Sequence, residues 1–432
     1  MKVSQTIRKR PSIWRRHRLF LGLITFQLIV VVLVFWSQPD HTNTTHVSPH
    51  LAARLEFLQP PHDRRNQQQQ QQQQLQAPGN SHQHDFHLDG QVDTKENWEH
   101  MEGLPEWVKE YFSWHNQEIA KLNKDNWQQS NFMILQCVRE DPHCGGTSDR
   151  LKPIPLLLFM AYRYKRIFLI WWTRPYRLEE FLVPNAINWT VPEYLPLSDG
   201  KQNGKMVAKS QNLKMFSAKK SMTFVRARMQ TYDGGQFLYE NITDSTYDEV
   251  YHDLFRLLFD PSPAIASILR QEMTEAGLVP GEYAVAHYRA FYARAARNPE
   301  TIANYAINAA NCASKLRPGG PIYFASDSLH ALATVRNYSK EHNYKIATIE
   351  NQEPLHLDKA GNWSEHHPSD FYSIFVDLYL MGMGRCLTFG QGGFGRFGLL
   401  LGYNASCSNR HTWSTHLLAC NWTDEESATS IN

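Results

Sequence analysis

Short apolar segments alternate with amphipathic ones through the second half of the chain. Apolar runs of strand length lie at 283–288, 321–325, 345–349 and 386–389, and segments with helical spacing of apolar residues follow them at 298–317, 328–341, 369–383 and 393–403. Because a strand followed by a crossover helix pairs in parallel with the next strand, this order predicts a doubly wound parallel sheet with helices on both faces.

A second, shorter unit of the same kind lies earlier in the chain. The apolar segment Met133–Cys137 runs into Gly145 and Gly146, a helix with prolines in its first turn follows, and a second apolar strand covers Ile167–Trp172. Glycine lets a ligand approach the backbone closely, and helix N-terminal amides favour anions. The glycine turn is therefore either an anion-binding loop or a tight turn without a ligand.

The length of the chain after residue 97 predicts two lobes. Residues 98–432 exceed the size that one hydrophobic core usually spans. We therefore expect an α/β protein with an N-terminal lobe at 98–275 and a C-terminal lobe at 276–432. The carboxyl ends of the strands of the two lobes would face a common cleft, where open α/β sheets bind ligands.

The N-terminus has the pattern of a membrane anchor. Residues 1–18 contain seven Lys or Arg and no acidic residue, and 19–36 form an apolar run that would be about 27 Å long as a helix. The basic flank predicts a cytosolic tail and a lumenal body, with a cleavable signal peptide as the alternative. Residues 37–97 include eight consecutive glutamines and are expected to be a disordered stem.

Two compositional features favour a lumenal, oxidising compartment such as the Golgi. Asn-x-Ser/Thr triplets begin at Asn43, Asn188, Asn241, Asn337, Asn362, Asn404 and Asn421. All six cysteines follow the anchor, and short loops favour Cys137 paired with Cys144 and Cys407 paired with Cys420. Zinc is the competing use, but no Cys-x-x-Cys or His-x-x-x-His spacing accompanies these cysteines, and we expect no metal site. The net charge of +2 does not indicate a nucleic-acid surface.

Polar residues that could carry chemistry stand at strand ends or interrupt apolar helix faces. His287 and Arg289 end one predicted strand, and Asp327 follows the next, where its alternative role is to cap a helix. Asp377 interrupts an apolar helix face and would be either solvated or paired with a donor. The glycine-rich turn between the last strand and helix, Phe389–Arg396, could cradle a diphosphate with the amides of Gln391, Gly392 and Gly393.

Five segments, in order and spacing, resemble the fucosyltransferase superfamily. They are Gly145–Lys152, Arg174–Pro184, His287–Arg289, Tyr323–Asp327 and Phe375–Gly382. The resemblance covers about 130–410 and implies a GT-B fold of two Rossmann-like lobes. It also implies metal-independent, inverting transfer of fucose from GDP-fucose to a glycan or glycoprotein acceptor, with the donor bound by the C-terminal lobe.

The resemblance also implies roles for single residues. Arg289 would grip the donor β-phosphate and His287 would lie near the nucleoside. Asp377 would recognise guanine, and Asp327 would shape the donor site; we expect Arg289 and Asp327 to be the catalytic residues. From the first lobe, the residues expected to face the pyrophosphate or the sugar are Gly145, Gly146 and Arg150.

The chain departs from the family pattern at two places. The last phosphate contact, often a Ser or Thr pair in relatives, is here Gly390–Gly393, so amides with Thr388 or Arg396 would substitute. No carboxylate follows His287–Arg289 closely, and the nearest is Glu300. No general base can therefore be named, and a nucleotide sugar other than GDP-fucose stays open as the donor. Two other classes stay open, a lumenal sulfotransferase with a phosphate loop at Gly145–Ser148 and a non-catalytic glycan binder. A metal-dependent GT-A enzyme is disfavoured because the chain contains no Asp-x-Asp.

Overall fold

A computed structural model describes most of the chain after residue 97. The described residues are 98–101, 104–139, 144–197, 205–206, 222–226, 253–290, 298–349, 355–357, 365–402, 407–413 and 416–420. The predicted tail at 1–18, anchor at 19–36 and stem at 37–97 lie outside these ranges. Within them, no helix combines the length and apolar character needed to cross a bilayer.

The described ranges contain eight α-helices and thirteen strands. The helices are α1 (Glu106–Lys121), α2 (Thr147–Leu151), α3 (Ile154–Arg163), α4 (Pro263–Ala276), α5 (Pro299–Leu316), α6 (Leu329–His342), α7 (Tyr372–Met383) and α8 (Gly393–Leu401). The strands are β1 (Phe132–Cys137), β2 (Ile167–Trp172), β3 (Leu182–Pro184), β4 (Lys205–Met206), β5 (Met222–Arg226), β6 (Phe259–Pro261), β7 (Ala284–Tyr288), β8 (Ile322–Ser326), β9 (Ile346–Ala347), β10 (Cys386–Phe389), β11 (Ser408–Arg410), β12 (Thr412–Trp413) and β13 (His416–Leu417).

The first sheet contains the predicted βαβ unit. Its strand order is β2-β1-β5-β4, and every neighbouring pair is parallel. Phe132 lies opposite Ile167 and Cys137 opposite Trp172, so the two apolar runs pair over their full length. Every residue of β1 and β2 is buried, as expected for parallel strands covered on both faces.

The second sheet has the doubly wound arrangement that the sequence predicts. Its order is β11-β10-β7-β8-β9, and all pairs are parallel. Alternate residues of β7 point to opposite faces: Ala284 and Ala286 pack with α5 and α6, and Val285 packs in the core on the other side. The edge strand β9 is shorter than the predicted 345–349, because only two of its residues pair with β8.

One large core joins the two sheets. Leu135 and Phe168 of the first sheet belong to the same buried cluster as Val285 and Tyr323 of the second. At the junction Phe181 stacks on Phe375 of α7, with ring centroids 4.5 Å apart and planes within 7°. This contact holds α7 against the segment that leads into β3 and so helps to position the polar residue of α7, Asp377.

Two antiparallel pairs were not predicted. β3 pairs with β6, so that Leu182 lies opposite Pro261, and β12 pairs with β13. Each of these strands has only two or three residues, too few to show an alternating pattern in the sequence.

The cysteines form three disulfides, of which the sequence predicts one. Cys137 bonds Cys144 as expected, but the predicted pair of Cys407 with Cys420 is wrong. Cys407 enters β11, which pairs in parallel with β10, and therefore lies beside Cys386. Cys420 bonds Cys312 of α5 instead.

Candidate functional site

A cavity of about 270 Å³ lies at the carboxyl ends of strands from both sheets. It is bordered by the residues that follow β1, β7, β8 and β10, the edge where open α/β sheets bind ligands. The lining residues are Gly146, Thr147, Ser148, Asp149, Lys152, His287, Arg289, Ser326, Asp327, Leu355, His356, Leu357, Ser373, Ile374, Asp377, Gly393 and Phe394. Six residues predicted for the site line it together: Gly146, His287, Arg289, Asp327, Asp377 and Gly393.

Arg289 is the central cation on the second-sheet side. It directly follows β7, and its side chain is 11% exposed. Its Nε lies 3.8 Å from Asp327 Oδ2, and an Nη nitrogen contacts His356 Nε2. Asp327 in turn accepts a hydrogen bond from the Ala290 backbone N–H at 2.6 Å. Asp327 therefore orients the loop that carries Arg289, while Ser328 caps the following helix.

His287 is buried and neutral. Burial lowers the pKa of His287 to about 3, and the charges on Arg289 and on protonated His411 act in the same direction. Its ring fits only because α8 carries a glycine opposite it, since a Cβ at Gly395 would lie 2.5 Å from Nδ1. A neutral imidazole can donate and accept hydrogen bonds without adding charge to the cavity.

Asp377 combines burial with access to the cavity. Burial raises the pKa of this carboxyl to about 7, partly offset by the hydrogen bond that Tyr323 donates to its Oδ1 at 2.5 Å. The residue lies on α7, with Ser373 one turn earlier on the same cavity wall. A carboxyl that is half ionised near neutral pH would bind a ligand with N–H donors better when it is ionised.

The first sheet contributes a short loop and helix, 146–152. Lys152 is only 3% exposed, and its Nζ lies 3.0 Å from Asp149 Oδ1. A Cβ at Gly393 would come within 3.2 Å of Ser148 Oγ and 3.6 Å of Lys152 Nζ. The first turn of α8 and this loop therefore approach each other across the cavity, and Gly393 permits the approach.

Arg150 and Gly145 differ from expectation. Arg150 is 2% exposed and does not line the cavity; its guanidinium donates to the carbonyls of Gly145, Arg174 and Leu357 and stacks over the Trp172 ring. Gly145 has φ +73° and lies beneath the loop, against Asp149. Arg150 thus ties the loop to the segment 355–357 that carries His356.

Four predicted residues in or beside the glycine-rich turn do not line the cavity either, and neither does Glu300. Thr388 is fully buried inside β10, and Gln391 is exposed to solvent. Gly392 is the N-cap of α8 and has φ +104°. Arg396 lies on α8. Burial lowers the pKa of Arg410 to about 10, and the charge of Arg396 contributes to this decrease. Glu300 is exposed in the first turn of α5.

The fold also brings to the cavity residues for which the sequence predicts no individual role, although some lie within the segments Gly145–Lys152 and Tyr323–Asp327. They are Thr147, Ser148, Asp149, Lys152, Ser326, Leu355, His356, Leu357, Ser373, Ile374 and Phe394. Asp149 and Lys152 have the i, i+3 spacing of neighbours on a helix, so their ion pair could have been predicted from the sequence. His356 carries no such signal, because it lies between β9 and α7 in a segment without regular structure.

Comparison with known proteins finds similar solved structures. No protein-family model matches the chain, and no curated protein matches it significantly. A FUT1 mutant from Arabidopsis thaliana in complex with GDP is 12% identical, with a TM-score of 0.49 over 72% of this chain and 78% of that chain. The fucosyltransferase NodZ from Bradyrhizobium is 15% identical, with a TM-score of 0.41 over 63% of this chain and 92% of that chain. A NodZ alpha-1,6-fucosyltransferase soaked with GDP-fucose gives the same identity and TM-score. Likeness at these identities and TM-scores does not show a function for this chain.

Among the residues that the structure describes, no group of three or more His, Cys, Asp or Glu side chains could hold a metal ion. The cations that line the described cavity are the side chains of Lys152 and Arg289.

Proposed function

We propose that the protein is a glycosyltransferase that transfers fucose from GDP-fucose, with inversion and without a metal, to a glycan or glycoprotein acceptor. The observation that carries the proposal is one cavity with two kinds of partner for a nucleoside diphosphate. Arg289 and Lys152 offer positive charge, and Asp377 offers a carboxyl for a base with N–H donors. The sequence resemblance to fucosyltransferases supports the same donor.

The phosphate partners come from both sides of the cavity. Arg289 follows β7, Lys152 follows α2, and the first turn of α8 begins at Gly393 with backbone amides directed toward its N-terminal end. As the bond between the sugar and the diphosphate breaks, negative charge grows on the leaving oxygen. Preorganised cations and amides stabilise that charge more than they stabilise the bound donor, and so accelerate the transfer.

Asp377 is the proposed reader of the nucleobase. Guanine presents an N1–H and an exocyclic amino group on one edge, and an ionised carboxylate accepts from both. Tyr323 already occupies one side of Oδ1 and fixes the orientation of the carboxyl. Uracil has a single N–H on the corresponding edge, so the site would favour GDP over UDP.

The cellular setting of the proposal follows from the sequence. Residues 19–36 would anchor the chain as a single-pass type II protein in the Golgi membrane, with 37–97 as a stem. The lobe 98–275 would face the acceptor, and 276–432 would bind the nucleotide sugar.

Thermal denaturation of the full chain in detergent with different nucleotides tests the donor. A ligand that binds the folded state raises its melting temperature, so GDP should stabilise the protein more than UDP or adenosine 3′,5′-bisphosphate. Stabilisation by the bisphosphate alone would instead identify a sulfotransferase. Binding of GDP without any turnover of GDP-fucose would identify a non-catalytic binder.

Chelation tests the mechanism separately. We expect GDP-fucose turnover to persist in excess EDTA, because Arg289 and Lys152 supply positive charge to the diphosphate. A loss of turnover that manganese restores would refute the metal-independent mechanism.

A further inference from the structure

Three carboxylates line the cavity among the residues that the structure describes. Two of them lie on the second-sheet side and are held by neighbouring protein groups. Asp377 is held by the Tyr323 hydroxyl. Asp327 accepts from the Ala290 N–H and pairs with Arg289. The third, Asp149, comes from the opposite side of the cavity, in the short helix α2 that follows β1. A transfer to a hydroxyl needs a group that takes the hydroxyl proton, and the first two carboxylates lie on the second-sheet side, where the proposed donor contacts are.

Asp149 has the position and the access that such a group needs. Its side chain is 29% exposed, compared with 21% for Asp327. Lys152 Nζ lies 3.0 Å from Oδ1 and holds the carboxylate in one orientation. The close approach of Lys152 and Ser148 to Gly393 places this loop directly across from the first turn of α8, where the diphosphate would bind.

We propose that Asp149 is the general base of the transfer, a role that rests on the proposed function. The acceptor oxygen attacks C1 of fucose from the face opposite the diphosphate and forms the new C–O bond. The bond from C1 to the phosphate oxygen breaks, and its electron pair leaves with GDP. The acceptor proton moves to a carboxylate oxygen of Asp149. Lys152, whose Nζ lies 3.0 Å from Asp149 Oδ1, would also contact the leaving diphosphate.

This assignment accounts for the missing base after His287–Arg289. In this chain the carboxylate is supplied by the first-sheet loop rather than by the segment that follows Arg289. Glu300, the nearest carboxylate in sequence, is exposed in the first turn of α5 and does not line the cavity.

A comparison of two nucleophiles, water and azide, distinguishes proton removal by Asp149 from any other role of this residue. Water must lose a proton when it attacks GDP-fucose, whereas azide has no proton to lose and forms fucosyl azide directly. We compare GDP release with water and with sodium azide for the full-length wild type, Asp149→Asn, Lys152→Met and the exposed loop variant Asp125→Asn. GDP affinity and melting temperature are measured for each protein.

Asp149→Asn should lower GDP release with water about 100-fold or more, the usual effect of a general base. Its rate with azide should fall far less than its rate with water, so the ratio of the two rates reports proton removal whatever the substitution does to Lys152 and to GDP affinity. Lys152→Met should lower both rates and GDP affinity together, and Asp125→Asn should behave as wild type.

Equal losses with water and azide in Asp149→Asn would show that the residue acts only through Lys152 or the loop, and a normal rate with water would exclude it as the base. A wild type that neither binds GDP nor releases it from GDP-fucose would instead refute the proposed function itself, and the base assignment with it.

Discussion

Asp377 links the acid–base behaviour of the protein to its donor affinity. Burial raises the pKa of the carboxyl from 3.8 to about 7. If guanine binds the ionised form, the competent fraction of the donor-free protein rises from roughly a tenth at pH 6 to roughly nine tenths at pH 8, so GDP affinity should increase about tenfold over this range. The sign is fixed by the pKa: affinity is lost as the pH falls through 7, because the carboxyl is then protonated.

The same group should act on stability in the opposite direction. A carboxyl whose pKa is higher in the folded state binds more protons there than in the unfolded chain, so folding stability falls as the pH rises from about 4 to about 7. A shift of about three units corresponds to at most about 4 kcal/mol at pH 8. Asp377→Asn removes this titration, so the variant should gain stability relative to wild type at pH 8 while it loses GDP affinity.

Calorimetric titration with GDP and thermal melts from pH 5.5 to 8.5 test both statements. The experiments use wild type, Asp377→Asn and the exposed control Asp125→Asn. Weak binding of UDP should change little in Asp377→Asn. A GDP affinity of the wild type that does not vary with pH, or an equal slope in the variant, would refute the assignment of Asp377 as the base reader.

Other substitutions test separate parts of the structure. Arg289→Ala should weaken transition-state binding by about 2–4 kcal/mol and lower kcat more than GDP affinity, so equal effects on both would contradict its role on the leaving group. Gly395→Ala should cost about 1–3 kcal/mol in thermal unfolding, since its Cβ would lie 2.5 Å from His287; a wild-type melt would show that the ring can move aside. Replacing Cys312 and Cys420 by serine opens a loop of sequence separation 108 and should cost about 4–5 kcal/mol, whereas unchanged stability with and without reductant would argue against the bond.

The fold of the second sheet could be predicted from the sequence because its segments agree at several levels. Apolar strands, amphipathic helices and proline or glycine boundaries all give the same order, and the observed elements follow it. The β3–β6 pair could not be predicted, because its strands have three residues each and lie far apart in sequence. The pairing of Cys312 with Cys420 depends on which helix the C-terminal segment crosses, information that spacing does not contain.

The residues of the candidate site could likewise be predicted only in part. His287, Arg289 and Asp327 could be located because residues after parallel strands meet at one edge of a sheet. Arg150 could not be distinguished from a ligand-binding cation, since its burial under the glycine loop depends on three carbonyls from separate segments. His356 reaches the cavity through an irregular segment and gives no periodic signal.

Both cations of the cavity are paired before any ligand arrives, and this bears on how a diphosphate would bind. Arg289 lies beside Asp327, and Lys152 beside Asp149, so each side of the cavity brings its own ion pair. A buried cation without such a partner would carry a large desolvation cost in the ligand-free protein. The carboxylates hold each cation in place, yet they also compete with the phosphates for it. A group that gains charge during the reaction competes best at the transition state, so paired cations of this kind favour the leaving diphosphate over the intact donor.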